Sequence, residues 1–175
     1  QLGKALRTVL PEAEFLTRAE FDVSTPDSYV DFPWKNYATV INASAYTAVD
    51  KAETEIDLAY AVNAKAPELM ARYAVENNVT FLHYSTDYVF DGCKNGFYVE
   101  DDIRNPLSIY GKSKAAGEEA IEKVFENSSQ GQFAIFRTSW VYGDGSNFIR
   151  TMLRLAKDRE ELKVIHDQHG VPTSA

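Results

Sequence analysis

Four short apolar runs, each rich in aromatic or β-branched residues, punctuate the chain at 14–17, 39–42, 80–85 and 132–138. Runs of this length between polar or turn-forming residues predict buried strands. Stretches with helical spacing occupy 52–77, 110–126 and 147–157, each long enough to cross back over a sheet. Alternation of this kind predicts an α/β fold in which helices cover both faces of a parallel sheet. Asn127-Ser128-Ser129-Gln130-Gly131 stops the second helix before the last strand. At the ends, Gln1-Leu2-Gly3 enters a helical pattern with no strand before it, and Pro172-Thr173-Ser174-Ala175 reads as a helix start. The expected architecture is therefore incomplete at both ends.

Composition narrows this picture. With 175 residues, 45% of them hydrophobic, the chain can bury one substantial core, so a single domain over 1–175 is expected. The net charge is −8, from 26 acidic against 18 basic residues, and no Lys/Arg cluster marks a phosphate-binding surface, so nucleic acid is not an expected partner. The apolar stretches at 39–45 and 133–136 fall far short of the roughly 20 residues a bilayer span requires. No basic-then-apolar leader opens the chain, so a cytoplasmic protein without a membrane partner is expected. Cys93 is the sole cysteine and lies in a polar Asp-Gly-Cys-Lys-Asn-Gly turn, which leaves no disulfide or thiolate metal site within one chain.

The candidate chemistry centres on Tyr110-Gly111-Lys112-Ser113-Lys114. A phenol and an ammonium four residues apart at a helix start share one face. The ammonium is expected to draw the phenol's pKa down from about 10 toward physiological pH, where acid/base catalysis is efficient. By itself the spacing is also that of an ordinary solvated helix face. Context comes from Phe81-Leu82-His83-Tyr84-Ser85-Thr86-Asp87-Tyr88, an apolar strand that turns polar at its carboxyl end, the end where ligands bind in parallel sheets. There Thr86 can hydrogen-bond a carbonyl oxygen, or simply cap a turn. His166-Asp167-Gln168-His169 invites a metal reading, but its spacing is poor for ligation, and the acidic run Asp50, Glu53, Glu55 and Asp57 suits a solvated helix start. No metal site is expected.

These motifs resemble the extended short-chain dehydrogenases/reductases. Asn42-Ala43-Ser44-Ala45-Tyr46-Thr47, Tyr84-Ser85-Thr86-Asp87-Tyr88-Val89-Phe90, Phe136-Arg137-Thr138-Ser139-Trp140-Val141-Tyr142-Gly143 and Gly170-Val171-Pro172-Thr173-Ser174-Ala175 are similar to the dTDP-4-dehydrorhamnose reductase family within them. The resemblance implies a Rossmann-like doubly wound parallel sheet that binds NADPH or NADH. It also implies reduction of the C4 keto group of dTDP-4-dehydro-L-rhamnose to give dTDP-L-rhamnose. Thr86, Tyr110 and Lys114 would be catalytic. Gln1 and Leu2, as the tail of a glycine-rich loop, would contact the cofactor with Asp22, Val23, Ser44, Ala45, Thr47, Tyr84, Tyr110 and Lys114. Val49, Thr86, Asp87, Tyr88 and Trp140 would surround the sugar. Arg18 follows the run at 14–17, where a basic side chain suits a 2′-phosphate, which favours NADPH. The resemblance leaves a homodimer open. Two rivals share the pattern: a non-catalytic regulatory subunit like the beta subunit of methionine adenosyltransferase, and an epimerase or dehydratase acting on another nucleotide sugar.

Overall fold

The structure, a computed structural model, describes residues 1–164, 166, 168 and 170–175. It gathers into two compact units, Leu16–Arg137 and a second made of Gln1–Phe15 with Thr138–Ala175.

The larger unit is built on a three-stranded sheet of order β1-β2-β3, with β1 at Thr39–Asn42, β2 at Thr80–Thr86 and β3 at Gln132–Thr138. β1 and β2 run parallel, in a register that sets Thr39 opposite Thr80 and Asn42 opposite His83. Parallel neighbours need a long crossover, and helices supply it: α3 (Val49–Ala52), α4 (Ile56–Tyr60), a π turn (Ala61–Lys65) and α5 (Ala66–Glu76) between β1 and β2, then α6 (Ile109–Glu126) between β2 and β3. Alternate residues of β2, Phe81, His83 and Ser85, are buried, as the two-residue period of a strand requires. Phe81 joins Tyr29, Trp34, Met70, Val79, Ile121 and Phe125 in the core. Tyr29 and Trp34 come from a short helix α2 (Asp27–Val30) and a 3-10 turn (Trp34–Asn36). The Trp34 indole N–H donates to the Tyr29 carbonyl at 3.0 Å, and the Tyr29 hydroxyl to the Val23 carbonyl at 2.6 Å, so neither polar tip is buried unpaired.

The continuous helix expected over 52–77 is instead broken. After α3 the chain turns at Thr54, whose backbone N–H and hydroxyl both donate to the Lys51 carbonyl. The π turn then precedes Pro67, which has no N–H to donate and whose ring crowds the carbonyl four residues back, at Asn63. The run at 14–17 is not a strand: the Thr17 N–H donates to the Glu20 carboxylate at 2.7 Å, and the Thr17 carbonyl accepts from Glu20 and Phe21, closing a turn.

The second unit holds α1 (Leu2–Val9), β4 (Val141–Tyr142), α7 (Phe148–Asp158) and β5 (Thr173–Ser174). Asn147 caps α7, its side-chain oxygen accepting the Arg150 N–H at 3.0 Å. The segment at 172–175, expected to begin a helix, is extended: β5 pairs parallel with β4, and the Thr173 hydroxyl donates to the Ser139 carbonyl at 2.6 Å.

Candidate functional site

Ser108 starts α6. Its backbone is extended and its hydroxyl accepts the Gly111 N–H at 3.1 Å, while the Glu53 carboxylate accepts the Ile109 N–H at 2.8 Å. An acidic side chain on an exposed helix N-terminus is electrostatically favourable, so this member of the acidic run has a definite task. The capped end presses against the 3-10 turn at Asp87–Val89. Gly111 makes that approach feasible, because a Cβ there would stand 2.3 Å from the Tyr88 carbonyl oxygen.

The contact brings the β2 carboxyl end to the Tyr110 phenol. Thr86 is almost fully buried, caps the 3-10 turn by accepting the Tyr88 N–H at 3.2 Å, donates to Asp87 at 3.1 Å and is near enough to the Tyr110 phenol to draw on its pKa. The Tyr88 ring meets the Tyr110 ring edge-on, 5.6 Å between centroids. One turn along, Lys114 is 1% exposed and donates to the Tyr84 carbonyl at 2.7 Å, with His83 Nε2 at 3.2 Å. One turn further, Glu118 is fully buried and ion-paired to Arg104 at 2.6 Å and Arg137 at 2.7 Å. Burial pushes the Glu118 carboxyl's pKa up, but Arg137, the Ser85 hydroxyl and Arg104 outweigh it and hold it below the ordinary value.

The electrostatics differ from the expectation at one point. Lys114 does not pull the Tyr110 phenol down. Burial pushes that pKa up, against an opposing pull from Thr86 and with the nearby Asp87 and Tyr88 adding to the rise. Lys114 itself is brought down to about 8 by burial, because its ammonium has left water for the strand edge.

The remaining cofactor candidates are spread along both units. Ser44 follows β1, and its backbone N–H and hydroxyl both donate to Asn42 Oδ1. Ala45 and Thr47 are exposed on the same loop and Val49 opens α3. That loop is fastened by Asn63 of the π turn, which accepts the Tyr46 N–H at 2.9 Å, donates to the Tyr46 carbonyl at 3.0 Å and donates to Ser113 of α6 at 3.0 Å. Tyr84 rests its ring on Phe136. Asp22 closes a turn with Ser24 and pairs with Arg18 at 3.0 Å; the Ser24 hydrogen bonds, then Arg18, hold its carboxyl down to about 2. Val23 packs beside the aromatic core.

In the other unit, Gln1 caps α1 and its side chain donates to the Ser146 carbonyl at 2.9 Å, with Leu2 beginning the helix. Trp140 has φ 43°, rare for a bulky residue, and Gly170 lies against its indole, where a Cβ would come 2.6 Å from Cε2. Among the described residues no three His, Cys, Asp or Glu side chains gather as a metal site; Asp167 and His169 lie outside the described residues.

Sequence reasoning missed Asn42, Asn63, His83 and Glu118. His83 and Glu118 carried a signal: the first falls on the buried face of β2 between Phe81 and Ser85, the second extends the four-residue stripe of Tyr110 and Lys114.

A parallel sheet with helical crossovers, and polar side chains gathered past the strands' carboxyl ends, define a Rossmann-like α/β protein. The chain belongs to the RmlD substrate binding domain family, whose model matches residues 1–175. It is 45% identical over 182 residues to a dTDP-4-dehydrorhamnose reductase from Aggregatibacter actinomycetemcomitans, covering 99% of this chain and 60% of that protein. A solved dTDP-4-dehydrorhamnose reductase from Clostridium acetobutylicum superposes with TM-score 0.90 at 40% identity, over 99% of this chain and 62% of that one. A third, from Bacillus anthracis in complex with NADP, gives TM-score 0.87 at 36% identity over the same shares of the two chains. The chain thus spans about 60% of the length of these relatives.

Among the described residues no helix is long and apolar enough to cross a membrane.

Proposed function

We propose that the intact protein is an NADPH-dependent reductase of the C4 keto group of dTDP-4-dehydro-L-rhamnose, and that these 175 residues belong to one NAD(P)-binding domain of it. The observation that carries the reading is the packing of the Tyr110 end of α6 against the Thr86-capped turn at the β2 carboxyl end, with Lys114 buried one helical turn away. Similarity to reductases of that name, one of them solved with NADP, supports the substrate and the cofactor.

The residues suit a nicotinamide cofactor. Lys114 donates one N–H to the Tyr84 carbonyl and meets His83 Nε2 among the described residues, which leaves an N–H for a ribose hydroxyl. Ser44, Ala45 and Thr47 line the loop past β1, where a dinucleotide crosses a sheet of this kind. Gln1, Leu2, Asp22, Val23 and Tyr84 complete the cofactor set. The bound cofactor supplies the hydride that adds to C4. Thr86 donates to the keto oxygen and stabilises the charge growing on it. Tyr110 gives its phenolic proton to that oxygen, leaving a phenolate that recovers a proton from solvent. The raised Tyr110 pKa suits this direction, since it keeps the phenol protonated until the alkoxide needs it. Val49, Asp87, Tyr88 and Trp140 are the remaining sugar contacts. A cytoplasmic location and a homodimer are part of the same proposal.

The test is to mix the intact protein with dTDP-4-dehydro-L-rhamnose and NADPH or NADH and follow loss of reduced-nicotinamide absorbance. Consumption of NADPH, reduced by about 10²- to 10⁴-fold in Tyr110→Phe while NADPH binding persists, is the expected outcome. Near-normal turnover by Tyr110→Phe removes the proton donor from the scheme, and no turnover by the unaltered protein returns it to the non-catalytic class.

A further inference from the structure

His83 is 1% exposed and has no part in the reaction proposed above, yet it touches the lysine at its centre. Its role follows from hydrogen-bond polarity, taken one link at a time. The Ser44 backbone N–H can only donate, and it donates to Asn42 Oδ1 at 3.0 Å. That fixes the Asn42 amide, so Nδ2 is the atom facing His83 Nδ1 at 3.1 Å. An amide nitrogen also only donates, so Nδ1 accepts. A neutral imidazole that accepts at Nδ1 carries its proton on Nε2. That N–H points at Lys114 Nζ, 3.2 Å away, while Lys114 donates to the Tyr84 carbonyl. Against an ammonium the Nε2–H meets another donor; against an amine it meets a lone pair.

We propose that Asn42 and His83 are positioning residues that couple the protonation of Lys114 to the tautomer of His83. The chain Ser44–Asn42–His83–Lys114 is fully hydrogen-bonded only when Lys114 is an amine, and protonating Lys114 forfeits one of its bonds. The mechanistic weight of this rests on Lys114 being the cofactor-side residue of the proposed reductase; the coupling itself does not.

The other groups around Lys114 do not reverse this. Glu118 on the same helix favours the ammonium, but its charge is shared with Arg104 and Arg137. Tyr110 precedes Lys114 by one turn, and Asp87 and Tyr88 of the 3-10 turn act on Tyr110. From the π turn, Asn63 is neutral and bonds Ser113. Burial, then the charge of Lys114, keeps the His83 pKa well below its ordinary value, so His83 changes tautomer rather than charge while Lys114 titrates.

The experiment is nuclear magnetic resonance of the labelled intact protein, reading the His83 ring carbons and nitrogens and the Lys114 Nζ titration. With Lys114 deprotonated, His83 is expected as the Nε2–H tautomer. His83→Gln can turn an amide oxygen toward Lys114 without adding charge, and should raise the Lys114 midpoint by roughly one unit or more. Asn42→Asp should move the His83 proton to Nδ1 and raise the Lys114 midpoint too. In the unaltered protein, a His83 proton on Nδ1 when Lys114 is deprotonated overturns the coupling, as does an unmoved Lys114 midpoint in folded His83→Gln. If His83→Gln does not fold, the tautomer of the unaltered protein decides alone. Because these readouts need no turnover, a failed reductase assay leaves them standing, and their failure leaves the reductase assay standing.

Discussion

Gly111→Ala tests whether the close approach of α6 to the 3-10 turn is what assembles the site. Two effects of opposite sign meet at this position. Replacing glycine in a helix favours folding by up to about 1 kcal/mol through backbone entropy. Against that, the added Cβ would lie 2.3 Å from the Tyr88 carbonyl oxygen and 3.1 Å from the Pro106 Cβ. Restoring ordinary contact means opening the helix from the turn by roughly 1 Å, and overpacking against backbone costs about 1–3 kcal/mol. Net stability should therefore fall by about 0–2 kcal/mol, a change readable by urea denaturation. Catalysis is more exposed, because Tyr110 rides on the helix and Thr86 caps the turn, so the same displacement separates the proposed proton donor from the hydroxyl proposed to orient the keto oxygen. A misplacement of about 1 Å costs on the order of 10²-fold in rate. The expected variant is folded, little destabilised and nearly inactive in the reductase assay. A Gly111→Ala protein that is more stable and turns over normally would refute the reasoning at both steps.

Gly117→Ala makes the same point without reference to activity: its Cβ would stand 2.1 Å from the Asn63 carbonyl oxygen, so urea denaturation should show a loss of about 1–3 kcal/mol despite the gain in helix propensity. Glu118→Ala strips the buried partner from Arg104 and Arg137 and should destabilise by about 3–5 kcal/mol; a loss under about 1 kcal/mol in the same assay would mean the pairs are worth little. Lys114→Met bears on pH. The folded-state pKa of Lys114, about 8, lies below its ordinary 10.5, so the unfolded chain binds more protons between those values and the lysine protein gains stability as pH rises through that window. Relative to Lys114→Met, the gain should approach about 3 kcal/mol, with the full penalty present below pH 8. Stability curves that stay parallel from pH 7.5 to 10 would contradict the burial of the ammonium.

Much of the larger unit was legible because its elements bury one face each. The apolar runs at 39–42 and 132–138 are strands with those bounds, and the helix expected over 110–126 gains only Ile109. Errors arose where a side chain or a proline competes with backbone pairing. Glu20 takes the Thr17 N–H that a strand would use, and the helix at 52–77 is interrupted by the Thr54 turn and by the π turn before Pro67. The β4–β5 pair is two residues long on each side, too short to leave any periodicity. Within the site, Thr86, Tyr110 and Lys114 announced themselves by type and spacing. The lowered Lys114 and raised Tyr110 did not, because burial depends on what α6 packs against. Asn42 and His83 belong to different strands, and only the register of β1 on β2 sets them opposite each other.

The buried Glu118 has a consequence for exchanging segments between related proteins. Its carboxylate answers to Arg104 in the loop after β2 and to Arg137 on β3, while Arg137 also donates to the Glu100 carbonyl. A graft that replaces the loop around 100–104 without its arginine and a suitable carbonyl would therefore leave the buried carboxylate with Arg137 as its one remaining cation of the two, and Arg137 without its carbonyl acceptor. Loop and strand must be transplanted together, as a single cassette whose members are fastened to one side chain of α6.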